Sequence, residues 1–246
     1  MANWNDPNMA ASGFGAAATA TDQAVDAGLR SYMLSVYNYM ASGVLLTGIV
    51  ALLFSQWEGA PALLFGPGPV KYVLMFAPLA FVLMLSFGIN KLSTAAAQAL
   101  FWAFAVVMGL SMASIFFVFT GASIAQTFFA TAAAFVGLSL YGYTTKKDLS
   151  GFGTFLIMGV VGIIVAMLLN AFIFQSSALS VVISVIGVLI FAGLTAYDTQ
   201  KIKSIYAYVA GTPEQGKVAI MGALNLYLDF INMFLFLLRL FGSSRN

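Results

Sequence analysis

Asp198 and Asp229 each sit within or at the end of a long uncharged stretch of the chain. An ionised carboxylate near the middle of a bilayer costs at least a few kcal/mol, so it must face protein, water or a partner. The chemistry expected of an acid kept in such a place is a site for ions or protons. Around Asp229, the residues Gly222, Asn225, Asp229 and Asn232 follow i, i+3, i+7, i+10 spacing and share one helix face. Leu226, Phe230, Phe234 and Leu237 make the opposite face apolar. Asp198 closes an apolar run in Thr195-Ala196-Tyr197-Asp198-Thr199-Gln200-Lys201. If that helix runs on through Ile205 and tilts, the carboxylate sinks below the interface while Lys201 and Lys203 reach outward. The plainer alternative is a surface carboxylate paired with Lys201 three residues on.

The elements that must carry these acids follow from composition. Apolar residues make up 61% of the 246 and charged residues 7%. A soluble domain carries roughly 25% charged residues, so a water-soluble fold is excluded. Strand-period alternation is missing, which also excludes an outer-membrane barrel. Seven crossings of about 21 residues would consume nearly the whole apolar inventory. The charges and breakers place them: Met33–Phe54, then Tyr72–Asn90 with Pro78 inside. Two more come from the uncharged run Leu92–Thr145, broken at Thr120-Gly121-Ala122-Ser123. Another two come from Leu149–Tyr197, broken at Gln175-Ser176-Ser177, and the last is Val218–Leu238. The loop with Pro61, Pro67 and Pro69 reads as too broken to be helical. Residues 1–28 read as a disordered cytoplasmic leader, helical from about Asp22, then 29–242 as the membrane domain and 243–246 as a short tail. The expected architecture is all-α, with seven transmembrane helices and a polar-striped seventh at the centre. Asp229 then lies about 16 Å along that helix, close to the midplane.

Arg30, Lys91, Lys146, Lys147, Lys201, Lys203 and Lys217 fall on the amino-terminal side, against Lys71, Arg239 and Arg245 opposite. The amino terminus is therefore expected in the cytoplasm. With no Cys and no His, thiolate chemistry, the HExxH zinc helix and imidazole relays are absent. No Walker motif is present, and the seventh span has no lysine for a Schiff base. The net charge of +2 suits neither nucleic acid nor any large polyanion. The chain is expected to be no enzyme and to need no cofactor. Trp57, Tyr72, Tyr141, Tyr143, Tyr206 and Tyr208 read as an interfacial aromatic belt. Ala95, Ala99 and Ala103, like Gly159 and Gly162, read as close helix-packing positions.

The run Gly193-Leu194-Thr195-Ala196-Tyr197-Asp198-Thr199-Gln200-Lys201-Ile202-Lys203 resembles the signature segment of the Bax inhibitor-1 family. So does Asn225-Leu226-Tyr227-Leu228-Asp229-Phe230-Ile231-Asn232, continuing to Arg239-Leu240-Phe241-Gly242, and the Lys146-Lys147-Asp148-Leu149-Ser150 loop is similar to that of bacterial members. The resemblance spans about Leu29 to Gly242. It implies six helices around a central seventh, an aspartate pair (Asp198 and Asp229) that senses pH beside a pore, and a Ca²⁺ leak across a bacterial inner membrane. It also implies a cation at the end of span two that latches onto the first aspartate. Here that position is Lys91, which keeps the charge but lacks the bidentate fork of arginine. Lys91 serves equally as a topology marker. Two carboxylates with amide oxygens from Asn225 or Asn232 would suit a hard cation such as Ca²⁺, bound weakly at Asp198 and Asp229 as it passes. Two other readings stand beside the leak pathway. One is a non-transporting regulator that binds other membrane proteins, such as a quality-control protease. The other is an intramembrane aspartyl protease, which Tyr197-Asp198 fits but Leu226-Tyr227-Leu228-Asp229 does not, since those enzymes carry Gly-x-Gly-Asp.

Overall fold

The structure is a computed structural model that describes the backbone of residues 7–245 and the side chains of residues 25–245. Nine α-helices follow one another among the described residues: α1 (Pro7–Gln56), α2 (Ala60–Phe65), α3 (Val70–Gly88), α4 (Thr94–Met112), α5 (Ile115–Val118), α6 (Gly121–Thr144), α7 (Ser150–Leu169), α8 (Ser177–Val209) and α9 (Gln215–Phe241). A π-turn, Asn170–Phe174, extends α7. Seven spans are long and apolar enough to cross a membrane: Val25–Gln56, Val70–Gly88, Thr94–Val118, Gly121–Thr144, Ser150–Phe174, Ser177–Val209 and Gln215–Phe241. This is an all-α integral membrane protein. Of the leader expected over residues 1–28, residues 1–6 lie outside the described residues. The remainder is the start of α1, which passes residue 29 without a break.

Capping explains where the long uncharged runs divide. The Thr120 hydroxyl accepts from Ser123 N (3.3 Å) and opens α6, and the Ser176 hydroxyl accepts from Leu179 N (3.3 Å) and opens α8. Ser93 does the same for α4 through Ala96 N (3.2 Å). At the α7–α8 turn the Asn170 amide donates to Ser176 O (3.1 Å) and Ser180 Oγ (2.7 Å), and its oxygen accepts from Ser176 N (3.0 Å). That turn carries Gln175 at φ 47, a left-handed residue. The proline loop is a partial correction, because α2 forms inside it. Pro61 sits in the first turn, where its missing N–H has no bond to lose.

Helix α9 is the core of the bundle. In its most apolar stretch 67% of residues are buried, against 11% for α3. Its neighbours insert rings from several directions. Phe104 of α4 meets Tyr227 edge-on (5.0 Å), Phe128 and Phe135 of α6 meet Phe230 (5.5 and 5.6 Å), and Phe191 of α8 stacks on Phe236 (5.9 Å). The enclosing shell is formed by α1, α4, α6 and α8, with α3 packed chiefly on α4 and α7 on α8. The implied ring of six is thus four inner helices and two outer ones. Exposed Phe129, Phe155, Leu189 and Phe172 cover the outside, as lipid contact requires. At the far end the tail forms a short bridge, with Thr120 N donating to Ser243 O (3.0 Å) and Ser243 N to Ser123 Oγ (2.9 Å).

Candidate functional site

The pair of aspartates is positioned by the antiparallel contact of α8 with α9. Gly187 leaves the room that the Phe236 ring fills, and Gly222 leaves room for Ile202, whose atoms would lie 3.2 Å from an added Cβ. Between these two interlocks the chain register brings Asp198 opposite Asp229, and their carboxyl groups are neighbours. Helix α8 continues to Val209, so Asp198 lies about 16 Å inside its end rather than at the surface. Asp229 is 4% exposed, Asp198 is partly buried, and among the described residues Asp229 Oδ2 has no hydrogen-bond donor unless it shares a proton with Asp198. A buried acceptor without a donor is costly unless a proton, a water or a cation satisfies it.

The segment around Asp198 is held on every side. Gly142 of α6 lies against the Ala196 backbone, and Gly153 of α7 against the Tyr197 ring. The Thr199 hydroxyl donates to Thr195 O (2.8 Å) and shares a hydrogen bond with Ser139 of α6 (3.2 Å). The Gln200 amide clamps the α6–α7 loop, accepting from Leu149 N (2.9 Å) and donating to Lys147 O (2.8 Å). Lys203 donates to Tyr143 O (2.8 Å) and lies 4.7 Å above the Tyr143 ring. In the same loop Asp148 accepts from the Ser150 hydroxyl and backbone N–H, which holds its carboxyl below the usual carboxylate range. Neighbouring residues of the motif therefore grip α6 and α7, leaving Asp198 directed at α9.

On another side of α9 a buried chain links three helices. Tyr227 OH shares a 2.6 Å hydrogen bond with Thr47 Oγ1 of α1, which donates to Ala105 O of α4 (2.8 Å). No local signal marks Thr47, Ser139 or Gln200 as partners, because they meet their counterparts across 51 to 180 residues of sequence.

The remaining candidate residues are placed less convergently. Asn225 and Asn232 are half-buried on the Asp229 face, but the Asn232 amide turns back to Leu228 O (2.8 Å) on its own helix. Lys91 is exposed in the turn after α3, where its backbone N–H donates to Gly88 O (2.8 Å). The ammonium that acts on Asp198 is that of Lys201, from the same helix. Among the described residues no three His, Cys, Asp or Glu side chains cluster as a metal cage would need. The site offers a cation two carboxylates and nearby amide oxygens, few for a hard cation that takes six to eight oxygens.

Comparison with known proteins matches residues 29–246 to the family model "Inhibitor of apoptosis-promoting Bax1". The chain is 48% identical over 221 residues to the Escherichia coli inner membrane protein YbhL, covering 89% of this chain and 94% of that one. It is 46% identical over 229 residues to an uncharacterized protein of Rickettsia prowazekii, covering 93% and 96%. A Caulobacter vibrioides protein is 46% identical over 233 residues, covering 91% and 93%.

Proposed function

The chain belongs to the Bax inhibitor-1 family, and we propose that it is a pH-sensitive leak pathway for cations, Ca²⁺ foremost, gated by Asp198 and Asp229. The observation that carries this reading is the unpartnered Oδ2 of Asp229, buried at the bundle centre beside a second carboxylate. An acceptor in that place is satisfied by a proton shared with Asp198, by water or by a cation, and each of these makes the contact respond to pH or to ions. A proton shared by the two carboxyls ties α8 to α9 and closes the path. Changing the proton count alters that tie, so flux depends on pH. Two carboxylates with the oxygens of Asn225 or Asn232 bind a hard cation weakly, which suits passage better than storage. Lys201 is the nearby counter-charge to Asp198, and Lys91 would join the latch only if the α3–α4 turn approached α8. The protein acts without bond chemistry and without a cofactor, its partners being the bilayer and Ca²⁺. Its place is the bacterial inner membrane, with the amino terminus in the cytoplasm. The excess of Lys and Arg on that side supports this orientation.

The test is Ca²⁺ flux into liposomes holding the purified protein, followed across several pH values. Asp198→Asn and Asp229→Asn should each flatten the pH response, and Asp229→Asn should also weaken Ca²⁺ binding. Absence of flux above empty liposomes at every pH would sink the leak reading and leave the non-transporting regulator. A wild-type pH profile in both variants would make the pair structural.

A further inference from the structure

Helices α1 and α6 both pack against α8 and α9, and the space between them is an open groove of about 720 Å³. Met33, Tyr37 and Val44 of α1 form one wall, Phe128 and Phe135 of α6 the other, and Phe230 of α9 the floor. Along α1 it extends from Arg30 to Val44, about 21 Å, which exceeds the roughly 15 Å depth of one leaflet's hydrocarbon. The exposed side chains of Leu34, Val136 and Leu140 put its long opening on the membrane-facing surface. An apolar trough of this size cannot stay empty in a bilayer, because its walls would forfeit their dispersion contacts.

The end of the groove is chemically different. Arg30 and Tyr143 form its mouth, and Lys203 stands beside it, 4.7 Å above the Tyr143 ring. Among the described residues no acid lines the groove, and Asp26, one turn before Arg30 on α1, is not among its walls. We infer that this groove is a binding site for one anionic phospholipid, an acyl chain lying between α1 and α6 and the phosphate resting on Arg30 and Lys203. A basic pocket between transmembrane helices at the interface is suited to an anionic headgroup. The apolar trough behind it selects a lipid over a soluble phosphate. The site also touches the gate region. Ser139, which bonds Thr199 beside Asp198, lies in the groove wall, and the floor residue Phe230 follows Asp229. The assignment of the lipid does not depend on the leak function.

Native mass spectrometry of delipidated full-length protein, titrated separately with phosphatidylglycerol and phosphatidylcholine of equal chain length, tests the site. The first phosphatidylglycerol should bind at least tenfold more tightly than the first phosphatidylcholine, at about fivefold for each of two cations. Arg30→Gln should reduce that preference about fivefold, while Lys71→Gln at the opposite membrane face leaves it unchanged. Ala132→Trp, which fills the trough, should abolish the first site for both lipids. Equal affinity for the two lipids would overturn the proposal, as would an undiminished preference in Arg30→Gln. Displacement of the lipid by soluble glycerol phosphate would also overturn it, since the mouth alone would then account for binding. If Ala132→Trp does not fold, the Arg30→Gln titration decides the matter alone.

Discussion

Two glycines five residues apart on α6 should respond in opposite ways to the same added methyl group. At Gly142 a Cβ would lie 2.9 Å from the Ala196 carbonyl carbon and 3.0 Å from its Cα, closer still to its oxygen. Ordinary contact begins near 3.4 Å, so α6 and α8 must part by roughly 0.5 Å or more, and backbone atoms cannot rotate aside as a side chain would. Overpacking of this kind costs about 1–3 kcal/mol. The displacement also reaches function. Ala196 is two residues before Asp198, and the 3.2 Å Ser139–Thr199 hydrogen bond crosses the same interface. At Gly137 an added Cβ meets nothing within 4 Å among the described residues, and the change should gain helix propensity, up to about 1 kcal/mol. Gly142→Ala should therefore lower the midpoint of thermal unfolding in detergent and raise Ca²⁺ leak at neutral pH. Gly137→Ala should leave the leak unchanged and the midpoint equal or higher. If the two variants matched in both measurements, the close approach of α6 to α8 would not be what holds Asp198 in place.

The Thr47–Tyr227 chain predicts an ordering. Tyr227→Phe loses one hydrogen bond, about 0.6–1.5 kcal/mol, whereas Thr47→Val loses two, strands the buried Tyr227 hydroxyl and should cost more; denaturant or thermal unfolding of both variants gives the comparison. Lys201→Ala should raise resting flux in liposomes more than Lys91→Ala, because Lys201 is the ammonium acting on Asp198, and the reverse order would assign the latch to Lys91. Ser243 is exposed beyond the last span, so a cysteine there should react with an impermeant reagent only from outside the cell. Labelling solely from the cytoplasm would mean an even number of crossings or an inverted chain.

Solvation alone made much of this molecule readable from its sequence. A bilayer excludes charge and rewards apolar length, so the uncharged runs mark the spans, and hydroxyl caps at Thr120 and Ser176 mark where the two longest runs fold back. The same exclusion singled out Asp198 and Asp229, since only a protected site tolerates carboxylates there. Spacing on one helix showed the polar stripe, because 3.6 residues per turn is a local rule. What lay beyond reach were relations between helices. Gly137 and Gly142 look alike in the sequence, yet only one of them meets a backbone across the interface. Lys201 lies within one turn of Asp198 by helix spacing alone, but whether Lys91 reaches the same carboxylate is decided only by how the α3–α4 turn packs, and there it is exposed. Tyr227 finds Thr47 across 180 residues because α1 and α9 pack together, with no periodicity to announce it. In lipid, apolar matching hardly distinguishes one helix pairing from another, so close-packed small residues and rare polar contacts choose the arrangement, and those exist only once the helices have met.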